Sequence, residues 1–438
     1  MRIFYLTTEF LWPAHQGGRV RSLAQLRLLC AQPEVTHLTL LSFTEVAIRA
    51  EEQAALRAAI VRPLDPAAPP RTDLTVTLLP PLYHPVHLKQ APLALLRVAA
   101  QRARTGIAYL ATKWRSAAMQ QALKQELAGG GYDVVYLDHL GMALYLPEVR
   151  RLCPQARVVV EEHNVESDFF AQFAARLPPP LGSLAAREYA AAARFEAQTL
   201  AAVDAVVTIS ALDADALAAL VRRQTGSEAK FHVVPQVTHS LEPQRPAVAE
   251  LRLGYVGSLT WHPNVRGLSW FCASVWPQLR ARLPEVRLAI AGSGLAVDAR
   301  GRPQAPKDWQ QPGIELLGYV ADLESLYARC TCMIAPILGG SGVRIKLLEA
   351  LRAGLPVVTT TAGAAGLPVT NGIELLIEDE PQRFAQAIVT LCHDRPLQER
   401  LRAGGYAFLR AHHSPRQAAA ALRAALALDS AAAAASPR

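Results

Sequence analysis

Cys332-Met333-Ile334-Ala335-Pro336-Ile337-Leu338-Gly339-Gly340-Ser341-Gly342-Val343-Arg344-Ile345-Lys346-Leu347-Leu348-Glu349-Ala350-Leu351-Arg352-Ala353-Gly354-Leu355-Pro356 is the stretch on which the reading of this chain turns. Its first five residues have the composition of a buried strand ending at Pro336. A glycine-rich loop follows, and a helix is expected from about Gly342 to the Gly354-Leu355-Pro356 stop signal. Glycine lets backbone N–H groups approach an anion unobstructed, and a helix N-terminus adds partial positive charge. Arg344 and Lys346 fall in the expected first turn, where cations oppose the helix dipole. A phosphate chain seated there resolves that conflict.

The flanking chain repeats the same grammar. Residues 251–256, 286–291, 314–317, 332–336, 356–360 and 373–377 read as short buried strands, with helices at 265–279, 322–328 and 343–353. Upstream, strands are expected at 2–7, 36–42, 134–137, 157–160 and 205–209, and a helix at 20–30. Short apolar strands alternating with helices imply parallel, doubly wound sheets. The 438 residues suit two such Rossmann-like domains. The expected division is an N-terminal domain over 1–238, a polar, proline-bearing linker over 239–250 and a C-terminal domain over 251–410. A helix over 411–430, packing back on the N-terminal domain, and a low-complexity tail over 431–438 complete the chain.

Composition narrows the function classes. The formal net charge is +8, with 45 Lys and Arg against 37 Asp and Glu, which favours an anionic partner. No zinc finger, RNP-like strand or basic heptad accompanies it, so nucleic acid is not expected. The six cysteines are scattered, and Cys330-Thr331-Cys332 lacks histidine neighbours, so buried reduced thiols are expected. No leader or spanning segment is read, giving a cytoplasmic expectation. The arginine-rich stretch 92–127 is a solvated helical face or a peripheral contact with a membrane carrying a lipid acceptor. No Asp-x-Asp pair suits a divalent metal, because Asp213-Ala214-Asp215 follows Ser210 as a helix cap.

Here a family resemblance becomes specific. The stretch around Glu349-Ala350 with Gly354 and Pro356 resembles the signature of GT-B-fold glycosyltransferases of the family-4 (group 1) type. Tyr255-Val256-Gly257-Ser258-Leu259 with Pro263-Asn264 is similar to the start of their nucleotide-binding domain. Leu317-Gly318-Tyr319-Val320-Ala321-Asp322-Leu323 resembles their nucleobase loop, and Gly17-Gly18 their acceptor-side glycine loop. Glu162-His163-Asn164-Val165-Glu166-Ser167 is similar to a loop of one subgroup. The resemblance implies two Rossmann-like domains facing a cleft. It also implies transfer of a sugar from a nucleotide-diphosphate donor (UDP- or GDP-linked) to a glycan or lipid-linked acceptor, with retention and without metal or other cofactor. Where the family has a first Glu contacting the sugar stands Ser341, and where many relatives place a phosphate-binding Arg stands Ser258.

The resulting assignments follow from both lines. Arg344 and Lys346 neutralise the leaving diphosphate, as preorganised charges should. Gly257, Ser258, Asn264, Val320, Gly340, Ser341, Gly342, Val343 and Glu349 bind the donor, Glu349 through the ribose hydroxyls. His163, following a strand, contacts the sugar or its reacting centre, and Gly17, Gly18 and His139 face the acceptor. Glu162 and Glu166 read as solvated, Arg266 as a solvated helix residue, and an i,i+3 ion pair joining Lys346 to Glu349 is the bland alternative. The competing functions are a non-catalytic GT-B-fold binding protein and a sugar-nucleotide epimerase.

Overall fold

The computed structural model describes residues 1–62, 72–79, 100, 102–168, 171, 181–238, 250–295, 304–340 and 342–428. The expected linker over 239–249, Ser341, the tail over 431–438, and 92–99 and 101 of the arginine-rich stretch lie outside them. The chain forms two compact units, Met1–Gln236 together with Pro415–Arg438, and Val237–Ser414.

The first unit is built on β1 (Arg2–Thr7), β2 (His37–Ser42), β3 (Asp73–Leu78), β4 (Val134–Asp138), β5 (Arg157–Glu162), β6 (Ala205–Thr208) and β7 (Phe231–Val233). Every pairing is parallel, in the order β3-β2-β1-β4-β5-β6-β7. β4 and β6 are buried at every residue, as strands covered by helices on both faces must be. β3 and β7 escape the sequence reading for a physical reason. They are edge strands, β3 interleaving Thr75 and Thr77 with apolar residues and β7 spanning only three positions.

The second unit contains β8 (Arg252–Val256), β9 (Arg287–Ala291), β10 (Ile314–Gly318), β11 (Cys332–Ala335), β12 (Val357–Thr359) and β13 (Leu376–Ile377). Again all are parallel, in the order β10-β9-β8-β11-β12-β13. The strand order therefore reverses at β1/β4 in one unit and at β8/β11 in the other. Open parallel sheets part their loops at such a reversal, leaving a crevice at the carboxyl ends of the strands.

The helix expected over 265–279 is three pieces: an α-helix His262–Trp270, a π-turn Phe271–Val275 and a second α-helix Trp276–Arg282. Pro277 explains the break, since it has no N–H to donate back into the preceding turn. The helix Arg395–His412 stays with the second unit, while Pro415–Ala425 returns to the first. There Arg157 Nε donates to Ala425 O at 2.8 Å and Arg423 pairs with Glu34 at 2.9 Å. All six cysteines are free, and Cys153, Cys272, Cys330 and Cys332 are buried.

One close approach fixes the helix His262–Trp270 against the end of β11. A Cβ at Gly267 would stand 1.6 Å from Pro336 O. Gly267→Ala is therefore expected to destabilise the second unit by about 1–3 kcal/mol, the usual cost of overpacking. Urea denaturation followed by Trp276 and Trp309 fluorescence measures it, and an unchanged midpoint would refute the contact.

Candidate active site

In the second unit the reversal point is lined by the residues after β8 and after β11. Lys346 leaves its helix sideways. Its Nζ donates to Asn264 Oδ1 at 2.9 Å and to Tyr255 Oη at 3.4 Å, and lies 4.6 Å from the Tyr255 ring centroid. Asn264 Nδ2 in turn donates to Ser258 O at 3.0 Å, so one amide holds both the cation and the loop after β8. Gly257 makes room: a Cβ there would come 2.7 Å from Lys346 Nζ. Burial, with the charge of Arg344 second, brings the Lys346 amine down to about 7.

The helix begins at Ile345 and not near Gly342, because Gly340 and Gly342 have φ of 104° and 84°. A helix cannot extend back through residues in that left-handed region. Arg344 is the residue preceding the helix, and its Nη2 donates to Gly340 O at 2.6 Å and Gly339 O at 3.3 Å. The expected conflict between two cations and the helix dipole is thus relieved within the chain, by loop carbonyls for Arg344 and by Asn264 and Tyr255 for Lys346. Glu349 pairs with Arg352 at 3.0 Å and not with Lys346, whose amine is committed to Asn264; Arg352 also pairs with Glu324. Ser258 Oγ meets Thr260 Oγ1 at 3.1 Å. Val320 and Val343 pack beside the core that contains Leu347 and Leu348, so their side chains serve the fold. Arg266 is exposed, as expected.

In the first unit the reversal point gathers residues from β1, from the helix Gly17–Cys30 and from the segment after β5 on Asp138, the last residue of β4. Its Oδ2 accepts from Thr7 Oγ1 at 2.6 Å and Ser22 Oγ at 2.7 Å, and Oδ1 meets His163 Nε2 at 2.9 Å. The His163 ring lies on His139 with centroids 3.7 Å apart and planes 32° from parallel. His139 has φ 73°. A Cβ at Gly18 would meet His139 Cε1 and Glu9 Oε1 at 3.7 Å each, and Glu9 is held by Arg19 at 2.5 Å. Arg21 Nε pairs with Glu161 Oε1 at 2.6 Å, and Tyr136 Oη donates to the same carboxylate at 2.6 Å. Burial works against a charged His163, but Asp138 outweighs it and the ring holds its proton above the ordinary range. His139, lowered by burial and then by the charge of His163, drops to about 3.

Comparison with known proteins now bears on these two clusters. Residues 250–394 match the family described as glycosyl transferases group 1. The whole chain superposes on HepE of Anabaena, solved with UDP-glucose, at a TM-score of 0.60 with 14% identity, covering 98% of this chain and 99% of that one. Sucrose-phosphate synthase from Thermosynechococcus elongatus gives 0.64 with 15% identity and full coverage of both chains. TarM of S. aureus gives 0.64 with 11% identity, over 97% of this chain and 99% of that one. A curated relative, an uncharacterized 44.6 kDa protein in the cps region of Klebsiella pneumoniae, is 26% identical over 165 residues. That match spans 37% of this chain and 42% of the relative. The chain has the GT-B fold, and its residues 250–394 are similar to the glycosyl transferases group 1 family.

The group 1 domain contains the Lys346 cluster, while the histidine pair lies outside the matched residues. Sequence reasoning missed Asp138, Tyr255 and Glu9. The available signal for Asp138 was an ionisable residue closing the apolar run of β4 directly before a histidine. Glu162 corrects the sequence reading: it is 1% exposed, with neither oxygen partnered among the described residues, and burial raises its carboxyl far above the ordinary range. Glu166 is likewise raised by burial, and the neighbouring Glu196, accepting from the Glu166 and Ser167 amides, is pushed up to about 8. Asp138, His139 and His163 form the one group of three or more His, Cys, Asp or Glu among the described residues whose ligand atoms lie within 4.8 Å of one another. Asp138 and His163 use those atoms on each other and the two rings lie one against the other with planes 32° apart, so the three are held together as a hydrogen-bonded ring pair.

The Lys346 amine is expected to titrate near 7, and Arg344→Gln to move that titration upward by removing the like charge. NMR of lysine labelled at Cε follows it directly. A midpoint near the ordinary lysine value of about 10.4 would show that the amine is neither buried nor crowded by Arg344.

Proposed function

We propose that the protein transfers a sugar from a nucleotide-diphosphate sugar, UDP- or GDP-linked, to a glycan or lipid-linked acceptor. The observation that carries this reading is Lys346: a cation fixed by Asn264 and Tyr255 at the strand-order reversal, beside a glycine loop of a group 1 domain. HepE shares the fold and was solved with UDP-glucose and with UDP and glucose. The Klebsiella relative belongs to a cps region, which fits work on a surface polysaccharide.

In this reading negative charge grows on the departing diphosphate, and charges already in place stabilise that state more than the ground state. Lys346, Arg344 and the amides of Gly340 and Gly342 supply that positive potential in place of a divalent metal. Arg344 either turns from the Gly339 and Gly340 carbonyls to the phosphate or orders the loop that meets it. Glu349, shared with Arg352, accepts the ribose hydroxyls. Gly257, Ser258 and Asn264 shape the floor beside the phosphates, with Val320 and Val343 setting the backbone around the base and Ser341 taking the sugar. In the first unit His163 and His139 address the sugar and the acceptor, with Gly17 and Gly18 leaving space, and the anomeric configuration is retained. A lipid-linked acceptor is met peripherally, at the cytoplasmic face of a membrane; among the described residues no helix is long and apolar enough to cross one.

A thermal-shift screen against UDP, GDP, ADP and dTDP sugars is expected to single out one base, because a ligand that binds only the folded state raises its stability. Lys346→Ala should abolish the shift and the release of nucleotide diphosphate, and an undiminished response would refute the phosphate assignment. Binding without any turnover would favour the non-catalytic alternative.

The same lysine sets a pH dependence. A bound diphosphate favours the charged amine, so the amine's pKa in the complex exceeds its free value of about 7. Affinity is then full below that value and falls as pH rises through it, with a proton taken up on binding. Calorimetry in two buffers of different ionisation heat reads the uptake, which should vanish in Lys346→Met.

Gly18 separates folding from function. It lies inside a helix, with nothing nearer than 3.7 Å to a prospective Cβ. Gly18→Ala should therefore be neutral or stabilising by up to about 1 kcal/mol, yet lower transfer by crowding the His139 face. Unchanged turnover would remove Gly18 from the site.

A further inference from the structure

We propose that Asp138 is a positioning residue that fixes the stacked histidines in opposite proton states, His163 as the cation and His139 as the neutral ring offered to a ligand hydroxyl. The second half rests on the transferase reading; the first half does not.

Asp138 is fully buried, and three donors from three separate elements converge on it: Thr7 from β1, Ser22 from the helix Gly17–Cys30 and His163 from beyond β5. Burial alone would raise the Asp138 carboxyl, but the adjacent histidines and the Thr7 hydroxyl hold it below the ordinary range, so it is ionised with two hydroxyls on Oδ2 and the hydrogen on the 2.9 Å contact belongs to His163 Nε2. Ionised Asp138 is then the counter-charge that a buried imidazolium requires.

The second ring cannot share that state. His139 is held against His163 by a left-handed backbone, its N–H donating to Glu161 O at 3.2 Å and its carbonyl accepting from Met142 N at 3.0 Å. A histidine in that region costs of order 1–3 kcal/mol and persists where its surroundings impose it. Two cations 3.7 Å apart repel strongly in a buried setting, and only His163 touches a carboxylate. His139 Nε2 is buried with no protein partner among the described residues. It lies 4.0 Å from the position a Cβ would take on Gly18, on the side where the glycine leaves the backbone bare. A neutral imidazole keeps one lone pair and one N–H, and either suits a sugar hydroxyl.

The remaining charges facing the pair do not reverse this assignment. Glu161 from β5 supports the His163 cation, and Glu166 beyond β5 is also within its field. Arg21 from the helix opposes the cation, but Arg21 is paired with Glu161. Lys113 acts on His139 in the same direction as His163, against a proton there.

The test is a pH titration of the full chain carrying ¹⁵N-labelled histidine, whose ring shifts report protonation and tautomer. In the unaltered protein His163 should stay doubly protonated above the ordinary histidine value of about 6.5, and His139 should stay neutral well below it. Asp138→Asn keeps the shape and removes the charge: the His163 proton affinity should fall at least about tenfold, one pH unit, and His139 should titrate closer to the ordinary value. Coincident His163 titrations in the two proteins would overturn the proposal. Ser22→Ala guards against failure of Asp138→Asn to fold. It removes one competing donor from the carboxylate, so His163 should hold its proton to a higher pH, and no change or the opposite change would overturn the proposal. Where donor turnover is measurable, the alkaline limb of its pH profile should move down in Asp138→Asn, which a purely structural loss would not produce. Absence of turnover in the unaltered protein would count against the transferase reading alone, since the ring titrations stand apart from it.

Discussion

A parallel strand can be joined to its neighbour only by a crossover, and that constraint organises both units. Each strand must return over a face of the sheet before the next begins, so every strand ends at the same edge. With the order β3-β2-β1-β4 in one unit and β10-β9-β8-β11 in the other, the crossovers part at a single place on that edge. The Lys346 cluster and the histidine pair both occupy such a place. Neither cluster is contiguous in sequence: Lys346 meets Asn264 across 82 residues and Asp138 meets Thr7 across 131. The sheet order is what makes them neighbours.

The two clusters solve the same electrostatic problem by one device. Lys346 is a cation placed where burial and a like charge disfavour it, and the chain answers with an amide oxygen and an aromatic face. His163 is a cation placed where burial disfavours it, and the chain answers with an ionised aspartate. In each case the partner is itself tied to another element, Asn264 to the Ser258 carbonyl and Asp138 to Thr7 and Ser22. The charges are therefore held in position before any ligand arrives. That is the condition under which electrostatic stabilisation needs no reorganisation at the moment of reaction.

Much of this was legible in the amino acids, for identifiable reasons. β1, β4, β9 and β11 show as apolar runs because strands covered on both faces keep polar side chains to their ends. The edge strands β3 and β7 carry no such run and stay hidden. The start of the helix Ile345–Arg352 was placed too early because Val343 and Arg344 are compatible with a helix. What stops the helix at Ile345 is the extended backbone of Arg344, with ψ of 88°, and beyond it the left-handed backbone at Gly342 and Gly340, a property that glycine permits but does not announce. The partner of Glu349 was equally open, since Lys346 and Arg352 stand three residues to either side. Asn264, far upstream, decides it by taking Lys346. Glu162 looked solvated because a charged residue in a loop usually is, yet the sheet edge encloses it.

The return of Pro415–Ala425 to the first unit gives the chain an unusual order of assembly. The second unit is one continuous stretch from Val237 to Ser414 and is complete in sequence before the last helix is made. The first unit is not: the Arg157 side chain finds the Ala425 carbonyl, and Glu34 its arginine, only after the whole of the second unit has been made. Topologically the later unit is inserted into the earlier one, and the first sheet receives a covering element from residues that follow the whole of the second unit.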